Sequence, residues 1–177
     1  MNKFLESLSD NPIIAAVKDM DTLKEAIKSN SDIIFLLKAE LESLKEYIEI
    51  ATNAEKILFV HFDLIEGLSR DQAGFNYLLN NFRPHGVIST KSNIIKLAKD
   101  KGIYAIQRFF LLDSFNMETT ISSVKSIRPD AIEILPGAMP KVTKIIVDQT
   151  RIPVITGGLI MDKEDVIGSL KAGASGI

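Results

Sequence analysis

A single alternation runs along the whole chain. A short apolar run is followed by a polar break, then by a segment with apolar residues three and four apart. The apolar runs are Ile13–Val17, Ile33–Leu37, Ile57–Phe62, Gly86–Ser89, Ile103–Gln107, Ala131–Leu135, Val154–Thr156 and Ala174–Ile177. Between them, sets such as Leu41/Leu44/Ile48, Ile94/Ile95/Ala98 and Val142/Ile145/Ile146 recur at helical spacing. The pattern predicts eight strands alternating with amphipathic helices. Near-continuous apolar strands of this kind belong to a parallel sheet covered by helices. Eight of them favour a closed (β/α)8 barrel over an open doubly wound sheet.

The punctuation agrees. Asp19 or Asp21, Ser69, Ser89 or Thr90, Asp113 or Ser114, and Asp162 stand where helix N-caps are needed. Gly102 and Gly173 stand where helices end in the left-handed conformation. Arg128-Pro129-Asp130 and Ile152-Pro153 stop a helix and lead into a strand. Residues 1–177 read as one small α/β barrel domain of the TIM type, lacking its last helix. Such a barrel exposes apolar surface between its first and seventh helices, which a homodimer contact or a further C-terminal segment would cover.

Composition narrows the class. Hydrophobic residues make up 46% and charged residues 25%, as in a soluble globular protein, and there is no cysteine. That excludes a disulfide framework and a cysteine zinc site and fits a cytoplasmic protein. No leader-like segment and no membrane-spanning run are present. The net charge of -2 argues against a strongly basic nucleic-acid binder. Its distribution is uneven, however. Residues 1–81 carry 8 basic and 14 acidic side chains, and residues 82–177 carry 13 and 9. Such asymmetry marks either a face that meets a polyanion or an uneven solvated surface.

Chemistry in a barrel of this type sits at the C-terminal ends of the strands. Lys18 and Lys38 each end an apolar run, where an ammonium group either enters the mouth or snorkels to water. His61 and Asp63 lie two apart on the third strand and so share one face, suited to acid–base work or to a buried hydrogen bond. Glu133 interrupts the apolar strand AIEIL and needs a partner, with Lys38 or Arg108 the obvious choices. Leu135-Pro136-Gly137 and Thr156-Gly157-Gly158 are turns at strand ends. The Gly-Gly pair, following the seventh strand and preceding a capped helix, lets backbone approach a phosphate closely. No metal-ligating set, Walker motif, dinucleotide fingerprint or nucleophile elbow is present. Basic residues Lys91, Lys96, Lys99 and Lys101 cluster around the fourth helix. Lys125, Arg128, Lys141, Lys144 and Arg151 follow on the fifth and sixth, without interleaved aromatics.

The combination NPIIAAVK, ILFVHFDLIEGLSRD, GVISTKSNIIKLAKDKGIYAIQRFFLLDS, DAIEILPGAMPKV and PVITGGLIMDKEDV resembles the glycerol uptake operon antiterminator family. The match extends over essentially the whole chain. The resemblance implies a barrel related to phosphate-binding enzymes but used as a regulator, with no catalytic residues and no cofactor. With the effector glycerol 3-phosphate bound, it would bind the leader of glycerol-operon mRNA, prevent premature termination and stabilise the transcript. The phosphate would sit at Gly157-Gly158, beside the Pro136-Gly137 turn, together with the loop after strand eight. The hydroxyls would meet Lys38, Asp63, Gln107 or Glu133, with Lys18 and Arg108 as neighbouring cations. Lys91, Lys96, Lys99, Lys101, Lys141 and Lys144 would meet RNA. The family continues past the position of Ile177, so half of the phosphate site is expected beyond this sequence. The alternatives are a barrel enzyme acting on a small phosphorylated metabolite, with His61, Asp63, Lys38 and Glu133 as its acid–base set, and a partner-binding barrel with an empty mouth.

Overall fold

A computed structural model describes residues 3–177. The strands are β1 (Ala15–Val17), β2 (Ile33–Leu36), β3 (Ala39–Glu40), β4 (Ile57–His61), β5 (Ile65–Glu66), β6 (Gly86–Ser89), β7 (Tyr104–Phe110), β8 (Ala131–Leu135) and β9 (Val154–Thr156). The helices are α1 (Lys3–Asp10), α2 (Met20–Lys28), α3 (Leu44–Asn53), α4 (Gln72–Asn81), α5 (Ser92–Asp100), α6 (Ser114–Ile127), α7 (Pro140–Thr150) and α8 (Lys163–Lys171). Seven strands form one parallel sheet in the order β1-β2-β4-β6-β7-β8-β9. The remaining two, β3 and β5, pair separately at the rim.

The eighth expected strand is reduced to a bridge between Ile155 and Gly176. Its backbone nevertheless carries the sheet from last strand to first. Thr156 N–H donates to Gly176 C=O at 3.0 Å, and Ser175 N–H to Val154 C=O at 2.7 Å. On the other side, Ile177 N–H donates to Pro12 C=O and Ile14 N–H to Ile177 C=O, both at 2.8 Å. The sheet thereby closes into the expected barrel.

Strand alternation sorts the apolar side chains into two layers. Ile33, Phe35, Ile57, Phe59, Ile88, Ile106, Ala131 and Ile155 fill the barrel interior. Ile34, Leu36, Leu58, Val60 and Val87 pack outward against the helices, as do Ile132, Ile134 and Val154 on the far side. The N-terminal helix α1 adds a plug. Its Phe4 is fully buried, with its ring 4.9 Å from Phe59 and 5.4 Å from Tyr104. The interior is therefore packed from the N-terminal end and opens only at the other.

Most of the predicted punctuation holds. Asp19, Asp113 and Asp162 cap α2, α6 and α8, each accepting a backbone N–H three residues on. Gly102 and Gly173 have φ of +71° and +96°. Two expectations fail. The cap of α4 is Asp71 rather than Ser69, whose hydroxyl donates to the Asp71 carboxylate instead. At α5 the cap position is Lys91, with no side-chain cap, because Ser89 and Thr90 are occupied by Asp63.

Candidate ligand site at the barrel mouth

A cavity of about 470 Å³ opens at the C-terminal end of the barrel. One wall carries Arg108, Glu133, Thr156, Gly157 and Gly158. The opposite wall and floor are apolar, built from Ile14, Ala16, Phe35, Leu37 and Ile155.

Strand pairing makes the polar wall. The fifth expected strand ends at Gln107, but β7 continues to Phe110 and sets Arg108 directly opposite Glu133 of β8. Arg108 Nε donates to Glu133 Oε2 at 2.6 Å and Nη2 donates to Oε1 at 3.1 Å. Both side chains are about nine-tenths buried, at 10% and 6% exposure. Burial pushes the Glu133 carboxyl above the usual carboxylate range, and the Arg108 charge and hydrogen bonds pull it back. The fork consumes Nε and one Nη2 proton, so the rest of the guanidinium edge is free of protein partners.

The glycine turn is shaped by the same carboxylate. A Cβ on Gly157 would stand 2.8 Å from Glu133 Oε1, so any side chain there would force the carboxylate to shift. Gly158 adopts φ +71°, and its C=O accepts the Gly137 N–H at 2.8 Å. That bond ties the Pro136-Gly137 turn to the cavity wall. The Gly157 N–H is already spent on Ile134 C=O at 3.0 Å.

The other expected residues divide. Lys38 turns out to the rim and pairs with Glu66 at 2.9 Å, which raises its pKa. Of the two partners open to Glu133, the structure takes Arg108. Lys18 is exposed at the end of β1 and makes no ion pair among the described residues. Gln107 faces away from the barrel interior, where its Nε2 donates to Ser92 Oγ at 3.0 Å. Asp63 and His61 do not share a strand face. The strand ends at His61, and Asp63 lies in a 3-10 turn, Phe62–Leu64. There it accepts Ser89 Oγ at 2.8 Å, Thr90 N–H at 2.7 Å and Thr90 Oγ1 at 3.0 Å. Asp63 is thus a clasp between two βα loops. His61 is buried beside the Arg108 charge; burial first and that charge second lower its pKa to about 4, so the ring is neutral. Its Nδ1 and the Thr156 hydroxyl have no partner among the described residues.

The apolar wall escaped the sequence reading, because residues lining a cavity and residues filling a core have the same composition. Among the described residues, no three His, Cys, Asp or Glu side chains converge as a metal site. No helix there is long and apolar enough to cross a membrane.

Fold and cavity define a (β/α)-barrel protein with a ligand-sized pocket at the C-terminal ends of its strands. The chain belongs to the glycerol-3-phosphate responsive antiterminator family, whose model matches residues 13–177. A glycerol uptake operon antiterminator regulatory protein from Listeria monocytogenes is 31% identical. It aligns over 95% of this chain and 91% of its own with a TM-score of 0.91. A glycerol uptake operon antiterminator-related protein from Thermotoga maritima is 34% identical over 92% and 91%, with a TM-score of 0.81. The uncharacterized protein YgcP of Escherichia coli K12 is 38% identical over 96% of this chain and 88% of that protein. Membership makes a regulator, rather than an enzyme, the reading the relatives support.

Proposed function

We propose that this protein is a glycerol-3-phosphate-responsive antiterminator that binds the mRNA leader of glycerol-utilisation operons from the cytoplasm, without turning its ligand over. The observation that carries the ligand half is the buried Arg108. Its guanidinium is fixed by Glu133, and its free edge borders a cavity closed by Gly157 and Gly158. A fixed, partly desolvated guanidinium suits a phosphate, since it donates in a planar fork and stays charged.

The regulatory half follows from linkage. A ligand shifts a population only by binding one state more tightly than another. Glycerol 3-phosphate would bind one conformation more tightly and shift the population towards the RNA-competent form.

Calorimetric titration tests the ligand, with glycerol and inorganic phosphate as controls. Binding that needs both parts of the molecule supports the reading. Arg108→Met should weaken it roughly 10- to 100-fold, the value of a charge-assisted hydrogen bond or two. Unchanged affinity in Arg108→Met, or conversion of any triose or glycerol phosphate to product, would overturn it.

A further inference from the structure

Six of the 13 cations of residues 82–177 converge away from the ligand, at the end of the barrel opposite the mouth. Arg83 follows α4, Lys99 and Lys101 end α5, Lys125 and Arg128 end α6, and Arg151 ends α7. All six are exposed, and none forms a salt bridge among the described residues. A groove of about 570 Å³ brings Arg83 and Lys101 together with Asn76 and Asn80. The Lys99 ammonium donates to the Arg128 C=O and joins α5 to α6. A second groove of about 430 Å³ gathers Lys125, Arg128 and Arg151 with Gln149 and Thr150. The result is one continuous belt from α4 to α7, roughly 30 Å long if neighbouring helices lie about 10 Å apart.

Helix dipoles alone do not account for it. A cation in the last helical turn complements the dipole. Arg83, Arg128 and Arg151 stand past that turn at φ of +47°, +52° and +55°, where an L side chain meets a steric cost that glycine avoids. The comparable left-handed residue after α3 is Glu55. Of the two carboxylates inside the belt, Asp130 is turned inward and accepts the Ala105 N–H, and Asp100, between Lys99 and Lys101, is exposed.

We propose that this belt is the surface on which RNA docks, gripping the phosphate backbone of a double-stranded stem. The proposal rests on the RNA-binding reading above and locates it. Neither groove is lined by an aromatic side chain, so stacking on splayed bases is not its mode. Asn76, Asn80, Gln149 and Thr150 supply neutral donors and acceptors suited to phosphate and ribose hydroxyl oxygens. Lys91 and Lys141, at the opposite ends of α5 and α7, lie outside the belt.

Fluorescence anisotropy of a labelled hairpin RNA, titrated at salt concentrations from 50 to 200 mM, tests it. The variant Arg83→Gly/Arg128→Gly/Arg151→Gly removes three cations and relieves three left-handed side chains. It should melt no lower than wild type, yet its salt slope should shrink by about 2.7, at about 0.9 per phosphate contact. Lys101→Gln/Lys125→Gln, which leaves the left-handed positions intact, should shrink the slope by about 1.8. Lys24→Gln/Lys45→Gln/Lys163→Gln removes the same charge elsewhere and should leave the slope unchanged. An unaltered slope in both belt variants, an equal loss in the off-belt variant, or no hairpin binding at 50 mM salt would overturn the belt. Equal binding of leader and unrelated hairpins, weakened alike by the belt variants, would instead uphold the belt and overturn the leader-specific reading.

Discussion

Acidification from pH 7.5 to pH 5.0 should remove about 2 kcal/mol of folding stability through one side chain, His61. The ring is 3% exposed inside the barrel, with the Arg108 charge nearby. Its pKa falls from the ordinary 6.5 to about 4. Between those values the unfolded chain binds a proton that the folded chain refuses, so stability is lost as pH drops through the window. At about 1.36 kcal/mol per pH unit the full effect is about 3 kcal/mol, of which about 2 is reached by pH 5.0. Glu133 opposes it. Burial raises that carboxyl, so its own contribution falls as pH rises above its ordinary value. His85, also lowered by burial, acts in the same sense as His61. The assay therefore needs a difference. Urea unfolding of wild type and His61→Gln at both pH values cancels the groups they share. The wild type should lose about 2 kcal/mol more than the variant between pH 7.5 and 5.0. Equal losses would show that His61 is not held neutral by its surroundings, and the account of the barrel interior would be wrong.

Two further predictions concern the mouth. Gly157→Ala would drive a methyl against Glu133 Oε1, displacing the carboxylate that holds Arg108. It should cost about 1–3 kcal/mol by urea unfolding and lower glycerol 3-phosphate affinity in calorimetry, whereas unaltered affinity would detach the glycine turn from the site. Asp63→Ala removes a carboxylate that accepts three hydrogen bonds. It should cost about 2–3 kcal/mol in stability, while glycerol 3-phosphate affinity measured below the melting range stays near wild type. A selective loss of affinity would return Asp63 to the ligand.

Much of the architecture was legible because it is local. Apolar runs at period two and helices at period 3.6 are written in neighbouring residues, as are the Asp19, Asp113 and Asp162 caps and the Gly102 and Gly173 ends. The residue types of the site were legible too. A carboxylate inside AIEIL and a double glycine after PVIT both depart from what a bare strand or turn requires.

What the sequence determined by itself was thus the barrel, the end at which to look, and the presence of Arg108, Glu133, Gly157 and Gly158 there. Partnership was decided only in three dimensions. Sequence spacing left Glu133 with two possible cations, and the parallel register of β7 on β8 chose Arg108. The same spacing placed Asp63 beside His61, yet the chain turns after His61 and sends the carboxylate to Ser89 and Thr90. The lysines of α5 and α7 look like one patch along the chain, whereas each helix carries its cations to both ends of the barrel. Adjacency between strands and between helix ends depends on register and closure, which are properties of the whole sheet, and no run of neighbouring residues encodes them.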